Sequence, residues 1–191
     1  MKKDDVFIGI LFSILIFLLA ACASYSRPQI INSLPEQAFL IPEVPFFPER
    51  DQLCGPASLQ SLFAYWGKPV PREEISAAIY LPQIKGTFNF DLVNFARSKG
   101  FQTELPPGSL EEVERQVRAG HPVIAFLNLG NSFFPLGHYI VIIGYDHLNQ
   151  ELIFHSGQNE FEKISYKRFT NQWKSTDRWM LILLPPAGKN G

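Results

Sequence analysis

The sequence predicts an α+β fold in which a block of helices precedes an antiparallel sheet. Three observations carry this. Between residues 54 and 120, apolar side chains recur at helical spacing in segments closed by Gly67, Gly100 and Gly120. From Pro122 onward, short runs rich in Val, Ile and Phe replace that period and read as strands. Fifteen prolines and an aromatic content of 14% mark a compact, loop-bearing chain rather than a disordered one. Helices first and strands second argue for a helix packed against a sheet, not for alternating crossovers.

The chain opens with Met1-Lys2-Lys3 and then an uncharged apolar run from Val6 to Ala20. That run is short for a membrane span and suits the core of a signal peptide. It ends in Leu19-Ala20-Ala21-Cys22, which resembles the bacterial lipobox, where the cysteine is acylated and becomes the new N-terminus. Residues 1–21 are read as a lipoprotein signal peptide and Cys22 as the lipidation site. By the same resemblance, Ala23 at the next position implies sorting to the outer membrane, with the domain facing the periplasm. Asp4 and Asp5 dilute the basic start and leave a plain membrane anchor as the alternative. Residues 22–43, polar and punctuated by proline, read as a tether. The remaining 44–191 is long enough for one domain with a sizeable core.

Within the domain the elements follow in order. The first helix runs from about Cys54 to Trp66, with Leu59, Leu62, Phe63 and Trp66 on one face. Pro71 sits where a first-turn proline belongs, ahead of a helix over 72–80. A third helix spans about 90–99, and Ser109-Leu110-Glu111-Glu112 has the form of a capping box opening a fourth. Strands are expected at 122–129, 138–145, 151–155, 161–165 and 179–184, with a short helix at 166–173. A net charge of −1 excludes the basic face that nucleic-acid binding needs. No Cys/His cluster has metal-ligand spacing, so neither metal nor other cofactor is expected.

The chemistry concentrates at Asp51-Gln52-Leu53-Cys54-Gly55-Pro56-Ala57. A cysteine at the start of a helix meets unpaired N–H groups and the positive end of the helix dipole, which favour the thiolate. With Cys22 consumed by lipid, Cys54 is the remaining thiol in a compartment that favours disulfides, so it is either a small buried hydrophobe or a nucleophile. A nucleophilic cysteine needs a base within hydrogen-bond reach and a third group to orient that base.

Four histidines are available. His121 precedes Pro122 at a strand start and His147 lies in a turn, so both read as surface residues. His138 begins the most apolar strand, where its side chain emerges at the strand's mouth, and it is the candidate base. Asp146 shares its face, but eight residues of strand put them roughly 26 Å apart. A tight turn at 147–149 instead brings 151–155 back beside 138–145. Turn centres near 146–148 set His155 opposite or diagonal to His138, which makes His155 the expected orienter.

Val44-Pro45-Phe46-Phe47, Cys54-Gly55-Pro56-Ala57, Gly137-His138-Tyr139 and Gly144-Tyr145-Asp146, in that order, resemble the bacteriocin-processing, double-glycine-type peptidases. These are papain-like cysteine peptidases, and the similarity is greater to their stand-alone lipoprotein relatives than to domains fused to transporters. The resemblance spans about Val44 to Pro186. It implies a papain-like fold, with the nucleophile at a helix N-terminus packed on an antiparallel sheet. It also implies Cys54 as nucleophile, His138 as base, and a peptide or protein of the envelope as substrate.

Two positions depart from the family pattern. His155-Ser156-Gly157 stands where the family has an Asp, commonly in Asp-Pro-Gly. The family's oxyanion-binding Gln, five or six residues before the Cys, is replaced by Glu49 and Pro48, leaving Gln52 as a nearer amide. An ionised Glu49 would repel a developing oxyanion. Three readings follow: an envelope-anchored cysteine peptidase, a catalytically impaired papain-like module that binds a peptide or envelope partner, and an NlpC-type cell-wall endopeptidase. The Asp-Cys-Ser-Gly motif of the last is absent.

Overall fold

A computed structural model describes residues 37–49 and 52–185. The signal peptide, Cys22 and most of the tether lie outside them. Twelve elements follow in the order β1 (Ala38–Leu40), α1 (Cys54–Tyr65), α2 (Arg72–Ile79), α3 (Asn89–Ser98), β2 (Gln102–Glu104), α4 (Leu110–Arg118), β3 (Val123–Asn128), β4 (Gly137–Asp146), β5 (Glu151–Ser156), β6 (Asn159–Ser165), α5 (Tyr166–Lys174) and β7 (Met180–Leu184). The strands form one seven-stranded antiparallel sheet in the order β2-β7-β3-β4-β5-β6, with β1 also paired to β4. The α+β expectation is met, with helices and strands within two residues of the predicted limits.

Two strands were not anticipated. Ala38–Leu40 lies in the stretch read as tether, yet it pairs with Gly144–Asp146 of β4, beyond the point where β3 stops. Its apolar Ala-Phe-Leu-Ile run explains this: Leu40 and Ile41 are buried, so the folded domain starts earlier than Val44. Strand β2 is a three-residue polar edge segment pairing with β7, too short to show a period.

Helix α1 is the central support of the site. Its Leu59, Leu62 and Phe63 are fully buried, and it packs on β4. Each such side chain contributes about 1.5–3 kcal/mol relative to exposure. Helix α4 starts as its sequence requires, with Ser109 Oγ accepting from the Glu112 N–H at 3.0 Å. It buries Val113 and Val117, and α5 buries Phe169 and Trp173. These helices cover β3 and β4. Among the described residues, no helix is long and apolar enough to cross a membrane.

Candidate active site

Cys54 is the first residue of α1, which has Leu53 as N-cap and no side-chain cap. The first-turn N–H groups are therefore open to other acceptors. The backbone N–H groups of Tyr139, Gly55 and Cys54 itself act on the thiol in the sense that favours the thiolate. Gly55 lets α1 approach the segment between α2 and α3 closely: a Cβ there would stand 3.2 Å from Thr87 Cβ. Tyr139 follows His138 directly, and both line the cleft with Cys54 where β4 begins.

The thiol is not poised as a thiolate. Burial is the main cause that pushes it up to about 11, and the Glu49 charge adds to this, while the three N–H groups oppose it. Helix-terminus stabilisation was the expectation; desolvation outweighs it here. Among the described residues, no hydrogen bond joins the sulfur to the His138 imidazole. Both side chains wall one cleft of about 530 Å³.

His138 does have a polar partner, but it is not His155. Its Nε2 lies 2.6 Å from Ser156 Oγ. Burial pushes the His138 pKa below its ordinary value, and the Glu162 charge acts in the other direction. The neutral imidazole can donate Nε2–H to the hydroxyl and keep its Nδ1 lone pair for a thiol proton.

The expected role of His155 as orienter is corrected by the strand register. Asp146 pairs with Glu151, the ladder shifts between Ile142 and Gly144, and His155 then stands opposite Val141. Val141 is three residues from His138, so the two imidazoles belong to opposite faces, and Ser156 returns to the face of His138. His155 is buried at 4% exposure. Its Nε2 donates to the Val44 carbonyl at 3.1 Å, and its Nδ1 accepts the Phe161 N–H at 3.2 Å. With both nitrogens held by main chain, it ties the Val44 segment and β6 to β5. Burial holds its pKa below the ordinary imidazole value.

The two oxyanion candidates both line the cleft with Cys54. Glu49 is anchored through its main chain: its N–H donates to Gly157 O at 2.8 Å, and the Gln158 side-chain amide donates to its carbonyl. The Glu49 strap is thereby bound to the β5–β6 turn that directly follows Ser156. Gln52 adopts φ 62°, the left-handed region, just ahead of the helix.

The remaining histidines lie elsewhere. His121 Nδ1 is 2.7 Å from Gln116 Oε1, and His147 sits 3.6 Å from Glu114. Asp146 holds its own turn, accepting from the main-chain and side-chain N–H groups of Asn149. Ser156 and the Tyr139 N–H were missed in the sequence. Ser156 had a signal, since it adjoins His155 in the departing His-Ser-Gly triplet; a main-chain N–H carries no side-chain signature. No group of three or more His, Cys, Asp or Glu residues among those described could hold a metal ion.

No curated protein is similar enough to show a relationship. A putative C39-like peptidase from Bacillus anthracis superposes with a TM-score of 0.65 at 18% identity, covering 80% of this chain and 100% of that one. The peptidase domain of Streptococcus ComA, a bifunctional ABC transporter involved in quorum sensing, gives 0.59 at 22% identity, covering 74% and 98%. A double-glycine-motif protease from an AMS/PCAT transporter, solved with its leader peptide, gives 0.58 at 21%, covering 77% and 94%. These likenesses show the fold. The model of the Peptidase_C39-like family matches residues 41–180, a span that contains Cys54, His138 and Ser156, and the chain belongs to that family of papain-like cysteine peptidases.

Proposed function

We propose that this chain is an envelope lipoprotein that cleaves peptide bonds with Cys54 as nucleophile, His138 as base and Ser156 as the group orienting the base. The observation that carries the reading is the junction at the start of β4. There Cys54, His138 and Tyr139 wall one cleft, and His138 is held through Nε2 by Ser156. A peptide substrate is supported by the structural likeness to the double-glycine-motif protease that was solved with a leader peptide. The envelope location rests on the Val6–Ala20 run and the lipobox-like Leu19-Ala20-Ala21-Cys22.

Because burial holds the thiol protonated and the imidazole neutral, the resting pair is uncharged. His138 Nδ1 takes the thiol proton as sulfur attacks the substrate carbonyl carbon, giving a tetrahedral oxyanion and an imidazolium. The Cys54 N–H is one donor for that oxyanion. Collapse expels the amine, which leaves with the imidazolium proton. Water then attacks the thioester and passes a proton to Nδ1; collapse releases the carboxylic acid, and the sulfur recovers its proton.

A second reading, a catalytically weak module that binds peptide, is favoured by the raised thiol pKa and by Glu49 beside the nucleophile. One experiment separates them: labelling with a thiol-reactive peptidyl probe, read by mass spectrometry. The peptidase reading expects labelling at Cys54 that falls at least tenfold in His138→Ala. Equal labelling in both proteins removes His138 as base.

A further inference from the structure

Two segments wall the mouth of the Cys54 cleft, 84–90 and 129–136. Together they carry seven of the nine large apolar side chains exposed among the described residues. Phe133 and Phe134 are the extreme, at 86% and 79% exposure, and they stand outside the cleft rather than lining it. We propose that this rim docks on a lipid bilayer, with Phe133 and Phe134 entering the interface and the cleft opening along the membrane surface.

Three observations favour lipid over a protein partner. Residues 129–136 carry no charged side chain, and 84–90 carry only Lys85, so the rim offers little for the charged groups that orient protein contacts. The loop has also closed much of its own backbone. Asn128 Oδ1 accepts the N–H groups of Gly130 and Leu136, and Asn131 Oδ1 accepts those of Phe133 and Phe134. Leu129 and Asn131 donate to Leu136 and Phe134 carbonyls. A loop whose N–H groups are satisfied internally enters an apolar phase at lower cost, because no water is needed to solvate them. An exposed, contiguous apolar patch of this kind marks an interaction site rather than ordinary surface.

The chain length allows the pose. The described residues begin at Gln37, beside the Asp146 end of β4, while the rim lies at the Gly137 end, roughly 30 Å away for a ten-residue strand. The segment from Cys22 to Gln37 reaches about 50 Å when extended, so an anchor at Cys22 permits the far end of the domain to lie on the same bilayer. The inference does not depend on whether Cys54 turns over substrate.

The test uses the full chain with vesicles of phosphatidylethanolamine and phosphatidylglycerol, and brominated lipid as quencher. Phe134→Trp reports the rim, and Leu148→Trp, at a site 68% exposed in the turn at the opposite end of β4, reports the end nearest the tether. Docking expects the added fluorescence of Phe134→Trp to be quenched at least threefold more than that of Leu148→Trp, and the excess to vanish when Phe133→Asp is added. Equal quenching, or stronger quenching at Leu148→Trp, describes a domain merely hung from its tether and overturns the proposal. So does absence of quenching at both sites. A blue shift of Phe134→Trp that grows with protein concentration without vesicles overturns it in favour of a second copy of the chain.

Discussion

His138 Nε2 and Ser156 Oγ stand 2.6 Å apart, so a neutral hydroxyl holds the imidazole where a carboxylate would stabilise its charged form. A hydroxyl fixes the tautomer and offers a dipole, but it cannot supply a full negative charge to the imidazolium. Ser156→Asp is therefore expected to raise the pKa of the base and increase kcat/KM against a peptide probe, moving the acid limb of the pH profile upward. Ser156→Ala removes the bond and should cost about 1 kcal/mol of positioning, roughly a fivefold loss. A Ser156→Asp profile that coincides with that of the wild type would remove Ser156 as the orienting residue.

The thiol titration is the second expectation. With Cys54 pushed up to about 11, its thiolate fraction is small at neutral pH and grows about tenfold per pH unit below the pKa. Alkylation of Cys54 by iodoacetamide should rise by that slope from pH 7 to 10. A plateau reached below pH 8 would show a thiolate stabilised by an ion pair.

Glu49 tests the electrostatics around the nucleophile. Its charge pushes the thiol upward, so Glu49→Gln should lower the thiol pKa and speed alkylation several-fold at pH 7.5. It should speed acylation by a peptidyl probe more strongly still, because an amide can donate to the oxyanion that a carboxylate repels. Equal gains in both assays would confine Glu49 to tuning the thiol.

His155 is expected to matter for folding before catalysis. His155→Ala leaves a cavity and two main-chain groups, Val44 O and Phe161 N–H, without their partner. A loss of about 2–4 kcal/mol follows, measurable by urea unfolding. The native pKa lies below the ordinary value because burial disfavours the charged ring, so the unfolded chain binds more protons in that range. Stability is then full above the unfolded value of about 6.5 and is lost as pH falls from there through the lower native pKa. His138 and His121, both also lowered by burial, act in the same sense. Urea midpoints should drop between pH 7 and 5, less steeply in His155→Gln.

Much of the fold is legible in the sequence alone. Gly-punctuated helical periods followed by Val- and Ile-rich runs were sufficient for the α+β order, and Cys-Gly-Pro and Gly-His-Tyr picked out two residues that wall one cleft. The short strand at Ala38 was not legible, because three residues carry no period and owe their pairing to the uncovered half of β4.

The hydrogen-bond partner of His138 was misplaced by a single residue. Its position depends on the length of the β4–β5 turn and on the ladder shift between Ile142 and Gly144. In a strand, one residue exchanges the faces, so His155 went to the main chain and Ser156 to His138. The thiolate expected at Cys54 failed for a related reason: a helix N-terminus is visible in sequence, but the depth at which the sulfur is buried is not.

By itself, then, the sequence determined the order of elements, the lone thiol of the domain at a helix start and the histidine at a strand mouth, since each follows from local pattern along the chain. Only the tertiary structure decided which side chain holds that histidine, how strongly the thiol keeps its proton, and that two apolar loops meet around the cleft. Those outcomes depend on register, desolvation and proximity between segments far apart in the chain, which no local pattern encodes.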